Sequence, residues 1–218
     1  RARLEWDTLK AMDVSVLATL NGRNRTGCDL VDHYFFPERL ATVGKKGINF
    51  FDFVRDIASY KEKHYVQTLI AFCEKNNRYK GSDLKRYYYI YGLCFGRVNA
   101  FKVTNALHIY KTYPCTKALD PFCGFGGRLL GAMMENVDYL GFDLNTYLAP
   151  AYARLLSDFA SDHSSEVRVE FRDAATVDYV DLSTTYAYDM VITSPPYRNI
   201  ELYRCSEKRD NEEWNLFY

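Results

Sequence analysis

The chain has 218 residues, 48% of them hydrophobic, which suits one moderate domain or a domain with an extension. Its 28 Lys and Arg balance 28 Asp and Glu, no apolar run is long enough to cross a bilayer, and no charged-then-apolar leader opens it. Six cysteines (28, 73, 94, 115, 123 and 205) form no Cys-x-x-Cys pair and have no His at zinc-finger spacing. That argues against a structural metal and fits the reduced thiols of an intracellular, cytoplasmic or nuclear protein.

The charge is unevenly spread. Residues 1 to 118 hold 20 Lys and Arg against 11 Asp and Glu, and residues 119 to 218 hold 8 against 17. A basic first half fits phosphate attraction to a nucleic acid; a solvated lysine-rich surface is the alternative.

In chain order, Leu4 to Leu20 reads as a modestly amphipathic helix, and residues 21 to 27 as a polar, glycine-punctuated loop. Val43 to Gly47 is a second loop, after which Phe50 to Tyr60 resumes an apolar pattern. Lys61 to Lys75 is predicted helical, with Tyr65, Leu69, Phe72 and Cys73 on one side. Asn76 to Asp83 is a basic connector leading to the aromatic run Tyr87-Tyr88-Tyr89-Ile90-Tyr91. Such aromatics serve as core, or stack on bases when interleaved with Lys and Arg; Lys80, Lys85 and Arg86 are the candidate nucleic-acid contacts.

Residues 1 to 97 thus read as a basic, aromatic-rich, mainly helical extension, and residues 98 to 218 as a separate α/β core. In that core Phe101 to Lys111 is a helix, Lys117 to Asp120 a strand and Gly127 to Glu135 a helix. Asp138 to Phe142 is a strand ending at Asp143, and Thr146 to Ser161 a helix capped by Asn145 or Thr146. Val167 to Phe171 and a buried-looking Tyr188 to Thr193 are the third and fourth strands. The alternation implies a parallel, doubly wound sheet. Glu212 to Tyr218 reads as the start of another helix, so further strands of the sheet are expected beyond this chain.

Two motifs follow strands. Asp120-Pro121-Phe122-Cys123-Gly124-Phe125-Gly126-Gly127-Arg128 opens a helix after the first strand, where its glycines allow close approach of a ligand. It has neither the last glycine of Gly-x-Gly-x-x-Gly nor a Gly-Lys-Ser/Thr, which disfavours a phosphate cradle. Carboxylates mark successive strand ends: Asp143 could accept ribose hydroxyls, Asp173 beside Ala174 an adenine amino group, and Asp120 could face an ammonium directly or through water. Ser194-Pro195-Pro196-Tyr197 follows the fourth strand, and its rigid carbonyls and aromatic ring could grip a planar amino group.

These motifs, in this order, resemble those of the S-adenosylmethionine-dependent amino-methyltransferases of DNA, which modify cytosine N4 or adenine N6. The resemblance covers residues 98 to 203 or so. It implies a Rossmann-like methyltransferase fold and S-adenosyl-L-methionine as cofactor. Asn99 to Val103 resembles the segment that contacts the cofactor carboxylate, which adds Phe101 and Lys102 to Asp120, Pro121, Phe122, Gly124, Gly126, Asp143, Asp173 and Ala174. It also implies a flipped base, with Ser194 and the Pro195 carbonyl accepting from its amine, Pro196 stiffening the turn, and Tyr197 stacking. Ser at the first motif position leans toward cytosine N4. Asn199, Glu201 and Tyr203 could shape the pocket, and Trp214 could pack the loop. An adenine-directed or RNA enzyme on the same fold, and a catalytically silent nucleic-acid-binding module, remain open. Oligomeric state is not legible.

Overall fold

The computed structural model describes residues 1–20, 22–196 and 201–203. Its elements are α1 (Ala2–Lys10), α2 (Val14–Thr19), α3 (Cys28–Ala41), α4 (Phe50–Arg55), α5 (Ile57–Lys61), α6 (His64–Lys75), α7 (Asp83–Cys94), α8 (Val103–Thr112), β1 (Lys117–Asp120), α9 (Gly127–Met134), β2 (Asp138–Asp143), α10 (Ala149–Asp158), β3 (Val167–Phe171), α11 (Tyr179–Thr185) and β4 (Met190–Val191). The expected start of a helix at Glu212 lies outside the described residues, as do Tyr197, Asn199 and Trp214.

The chain divides into two compact units, residues 1–36 with 100–196 and residues 37–99 with 197–218. This corrects the single boundary expected near residue 98, because α1, α2 and most of α3 belong with the α/β unit. Their apolar faces are what tie them there. Trp6 stacks on Phe159 with ring centroids 4.1 Å apart, Phe35 meets Tyr152 edge-on at 4.9 Å, and the Tyr34 hydroxyl donates to Asp158 at 2.8 Å. The division falls at Pro37 inside α3, where a missing N–H interrupts the helical ladder.

In the first unit the four strands form one parallel sheet in the order β3-β2-β1-β4. Leu119 aligns with both Leu140 and Val191, and Asp143 with Phe171. β1 and β2 are buried along most of their length, which is why they read as apolar runs rather than alternating ones. From β1 the chain steps outward through β2 to β3, then returns to the other side of β1 for β4. The gap between β1 and β4 is therefore a topological switch point, where ligands of open parallel sheets bind at the carboxyl ends. Gly131 lets α9 lie against α8: a Cβ there would stand 2.7 Å from the Ala106 Cβ.

Several elements differ from their sequence reading. The helix expected over 4–20 breaks after Lys10, and Asp13 caps a second helix by accepting from Ser15 N. α11 has no strong apolar period and went unread; Asp178 starts it by accepting from the backbone N–H groups of Val180 and Asp181. β4 is shorter than predicted and not buried, with Val191 55% exposed. Asp189, read as part of that strand, instead accepts hydrogen bonds from Thr116 N, Thr116 Oγ1 and Lys117 N.

The second unit is built from α4 to α7 around Ile48, Phe50, Phe53, Val66, Ile90 and Tyr91. The tyrosine run divides by helical position: Tyr91 is buried and donates to the Ile48 carbonyl at 3.1 Å, whereas Tyr87, Tyr88 and Tyr89 pack at the margin of the core. The side of α6 that carries Tyr65, Leu69, Phe72 and Cys73 is inward only in part, with Leu69 packed against the core. Val66 and Cys73 are buried, whereas Tyr65 and Phe72 are 48% and 41% exposed. Val43 and Leu202 pair through one antiparallel bridge. Among the described residues no helix is long and apolar enough to cross a membrane.

Candidate ligand site at the strand carboxyl ends

The glycine loop leaves β1 under tight constraint. Gly126, which precedes α9, has φ +71°, and a Cβ on it would lie 2.9 Å from the Phe35 ring. A Cβ on Gly127 would stand 2.0 Å from the Phe101 carbonyl oxygen. That contact brings the Phe101 backbone against the start of α9, so two candidate segments distant in sequence meet here. Gly124 differs: its φ is +56°, and a Cβ there would approach only the Phe122 carbonyl, at 3.9 Å. Its polar groups are held, the N–H donating to Asp143 Oδ2 at 2.7 Å and the carbonyl accepting from the Tyr152 hydroxyl at 2.7 Å. The loop therefore has a rigid rear and an unobstructed side at Gly124.

Asp143 ends β2 and accepts from Gly124 N and from Asn145 N, the latter at 2.8 Å. Burial pushes its carboxyl above the ordinary range, against the two backbone bonds that pull it down. A carboxylate has about four lone-pair positions, so acceptor capacity is left over for ligand hydroxyls. Asp173 follows β3 and opens a 3₁₀ turn, its Oδ1 accepting from Ala175 N at 2.9 Å; Ala174 beside it is buried.

Asp120 and Lys102 require correction as direct ligand contacts. The Asp120 side chain is fully buried and accepts from Arg128 Nε at 2.6 Å and from the Tyr139 hydroxyl at 2.5 Å. Its other oxygen accepts from Phe122 N at 3.2 Å. The carboxylate is thus an internal anchor, buried and already held by three donors. Lys102 turns its Nζ to the carbonyls of Gly22 and Asn24, at 2.6 and 2.8 Å. Pro121 and Phe122 stay half-exposed in the loop.

Sequence reasoning gave no role to Arg128, which is 3% exposed. It also donates to the Phe122 carbonyl, and its guanidinium lies 4.9 Å from the centre of the Phe101 ring. The available signal was a cation in the first turn of a helix, where the macrodipole disfavours it unless a carboxylate is near. Tyr139 and Tyr152 were likewise read only as strand and helix residues.

On the far side of the switch point, Ile192 N donates to the Leu119 carbonyl at 3.0 Å, and Thr193 to Pro196 continue from there. Ser194 and Pro196 are half-buried and Pro195 is exposed. The Thr193 hydroxyl oxygen is buried without a hydrogen-bond partner among the described residues. A buried polar atom of this kind is costly unless something else satisfies it. Glu201 and Tyr203 fall in the second unit, where the Tyr203 hydroxyl donates to Glu201 at 2.9 Å and burial pushes the Glu201 carboxyl up.

The candidate nucleic-acid cations also separate. Lys80 and Lys85 are exposed. The Arg86 side chain is only 18% exposed and lies 3.5 Å from Glu74 and 3.6 Å from Asp83, which corrects its reading as a free phosphate contact. Comparison of the chain with protein-family models and with curated proteins finds no match.

Proposed function

We propose that the first unit is an S-adenosylmethionine-dependent amino-methyltransferase acting on a nucleic-acid base, cytosine N4 of DNA being favoured. The observation that carries this reading is the pairing of two motifs across one switch point. The glycine loop follows β1, Ser194-Pro195-Pro196 follows β4, and the two strands are neighbours in the sheet. Strands in a sheet lie about 4.8 Å apart, so loops leaving adjacent carboxyl ends serve a common crevice.

The residues present fit such a cofactor in part. The unobstructed side of Gly124, the spare acceptor capacity of Asp143 and the orphaned Thr193 hydroxyl are features that a polar ligand would complete. Asp143 would take the ribose hydroxyls, Asp173 and Ala174 the adenine, and Phe122, Gly124 and the Phe101 backbone would wall the site. When bound, the cofactor supplies a methyl group on a sulfonium.

On the substrate side, Ser194 Oγ and the Pro195 carbonyl accept from the exocyclic amine. Acceptors aimed there favour the positive charge that grows on nitrogen during attack, and they hold its lone pair in line. Pro195 and Pro196 fix the backbone so that these acceptors need no reorganisation. Tyr197, outside the described residues, has the stacking role. No cysteine nucleophile is required, and burial pushes the Cys123 thiol far up, which keeps it protonated.

The test is mass spectrometry of nucleosides from cells that lack DNA methylation and express the protein or its Pro195→Ala variant. N4-methylcytosine or N6-methyladenine in DNA, absent with the variant, is the expected result and decides the base. Methylation confined to RNA would move the reading to that substrate. No methylated nucleoside, together with no calorimetric heat for the cofactor, would overturn it.

A further inference from the structure

We infer that the connector between α6 and α7 is a stacking platform for single-stranded nucleic acid, centred on Tyr79. The first sign is backbone strain. Tyr79 has φ +57°, a left-handed conformation that is uncommon for any side-chain-bearing residue and an outlier for a bulky one. Local chain closure does not require it. α6 ends in a Schellman arrangement: Asn77 N bonds to Glu74 O, Arg78 N bonds to Cys73 O at 2.8 Å, and Asn77 has φ +50°. The next turn closes from Ser82 N to Tyr79 O, with Gly81 taking the positive φ of +79°. Asn77 and Gly81 are thus in conformations that suit them, and Tyr79 between them is not. Strain of this kind persists where the side chain is needed in a set position.

What the strain positions is a run of rings and cations. Tyr79 is 40% exposed and its ring lies 5.4 Å from that of Tyr89. The Arg78 guanidinium lies 5.6 Å from the Tyr89 ring and 5.2 Å from the Phe72 ring. Phe72 shares a face of α6 with Tyr65, two helical turns earlier and about 10 Å away, and both are exposed. Lys75 and Lys80 are exposed in the same stretch.

Exposed rings beside cations, with strong salt dependence, are how proteins hold unpaired bases and their phosphates. The sign of the charge supports that occupant. Residues 37–99 hold 12 Lys and Arg against 6 Asp and Glu, whereas residues 1–36 and 100–196 hold 12 against 17. The basic excess therefore belongs to this unit. The inference stands on the second unit alone, and binding can be read without any methyl transfer.

The test uses the full chain, a fluorescent mixed-sequence 20-mer of single-stranded DNA read by anisotropy, and two variants. Tyr79→Gly removes the ring and relieves the strained φ. Its thermal midpoint should hold or rise while its Kd for the oligonucleotide weakens about tenfold or more. Tyr79→Phe should bind as the parent does. Equal affinity of Tyr79→Gly and the parent would overturn the proposal. So would binding to phosphatidylserine vesicles, lost in Tyr79→Gly, with no binding of the oligonucleotide by the parent.

Discussion

In residues 1–36 and 100–196 a fully buried carboxylate, Asp120, faces a guanidinium that is 3% exposed. In residues 37–99, by contrast, Lys75, Lys80 and Lys85 lie exposed, and Arg78 rests on aromatic faces at the surface. The same residue types do opposite work. In the α/β unit, charges taken out of water hold a loop in one shape, which leaves open one side of Gly124 beside the Asp143 carboxylate. In the helical unit the aromatic core holds the fold, and Lys75, Lys80 and Lys85 are left at the surface while Arg86 is mostly covered. Charge therefore acts as internal scaffolding around Asp120 in one unit and lies largely at the surface in the other, and substitutions of similar chemistry should have different consequences in each.

The largest expected effect is at Arg128. Arg128→Met leaves Asp120 buried without its counter-charge and should cost about 3–5 kcal/mol in urea unfolding. Adding Asp120→Leu should recover part of that loss, because no unpaired charge then remains; the Tyr139 hydroxyl, which loses its acceptor, limits the recovery. A loss within about 1 kcal/mol for Arg128→Met would mean that the pair contributes little and that the glycine loop is held by packing.

Next is Asp143. Asp143→Ala should weaken cofactor binding about tenfold or more in calorimetry, the range for hydrogen bonds to a charged group. The parent should also lose affinity as pH falls, and the loss should begin above the ordinary aspartate range because burial raises this carboxyl. The stability sign is opposite to that of a salt-bridged aspartate. A folded pKa above the unfolded one means that the ionised group detracts from stability above the folded pKa, and that this cost is relieved as pH falls through it. Affinity that is flat to acid would remove Asp143 from the site.

A smaller effect is expected at Asn49, which caps α4 by accepting from Asp52 N at 2.8 Å. Asn49→Ala should cost about 1 kcal/mol, with cofactor affinity unchanged because the residue belongs to the other unit. A change in cofactor affinity would show that the two units are energetically coupled.

How much of this was legible in sequence depended on whether the signal was local. β1 and β3 read correctly to the residue, and β2 within one: β1 and β2 are short, mostly buried runs with polar ends, and β3 is the alternating, half-exposed Val-Arg-Val-Glu-Phe. The glycines of the loop were legible too, though the reason for Gly127 was not: its constraint is the Phe101 carbonyl, 26 residues away. The same limit hid the role of Asp120. A carboxylate at a strand end looks the same in sequence whether it meets a ligand or a buried arginine eight residues on. α1 and α2 were read as an extension because nothing local says what covers Trp6; Phe159 does, from far along the chain. α7 was obscured by its tyrosines, whose burial alternates by helical position and not by residue type.

The smallest effect separates cations that sequence treats as equals. Lys80 and Lys85 are exposed, and each one that meets a phosphate should contribute about 0.7 to the slope of log K against log salt for a single strand. Lys80→Gln should lower the magnitude of that slope by about this amount. Arg86→Gln should leave it unchanged, because that guanidinium already lies between Glu74 and Asp83 with its side chain mostly covered. What Arg86→Gln should lose is a little stability, up to about 1 kcal/mol, as expected for an ion pair whose carboxylates are largely in water. If Arg86→Gln instead lowered the slope as much as Lys80→Gln, the pairing with Glu74 and Asp83 would have to open on binding, and the division between scaffolding and recognition charges would fail within the helical unit itself.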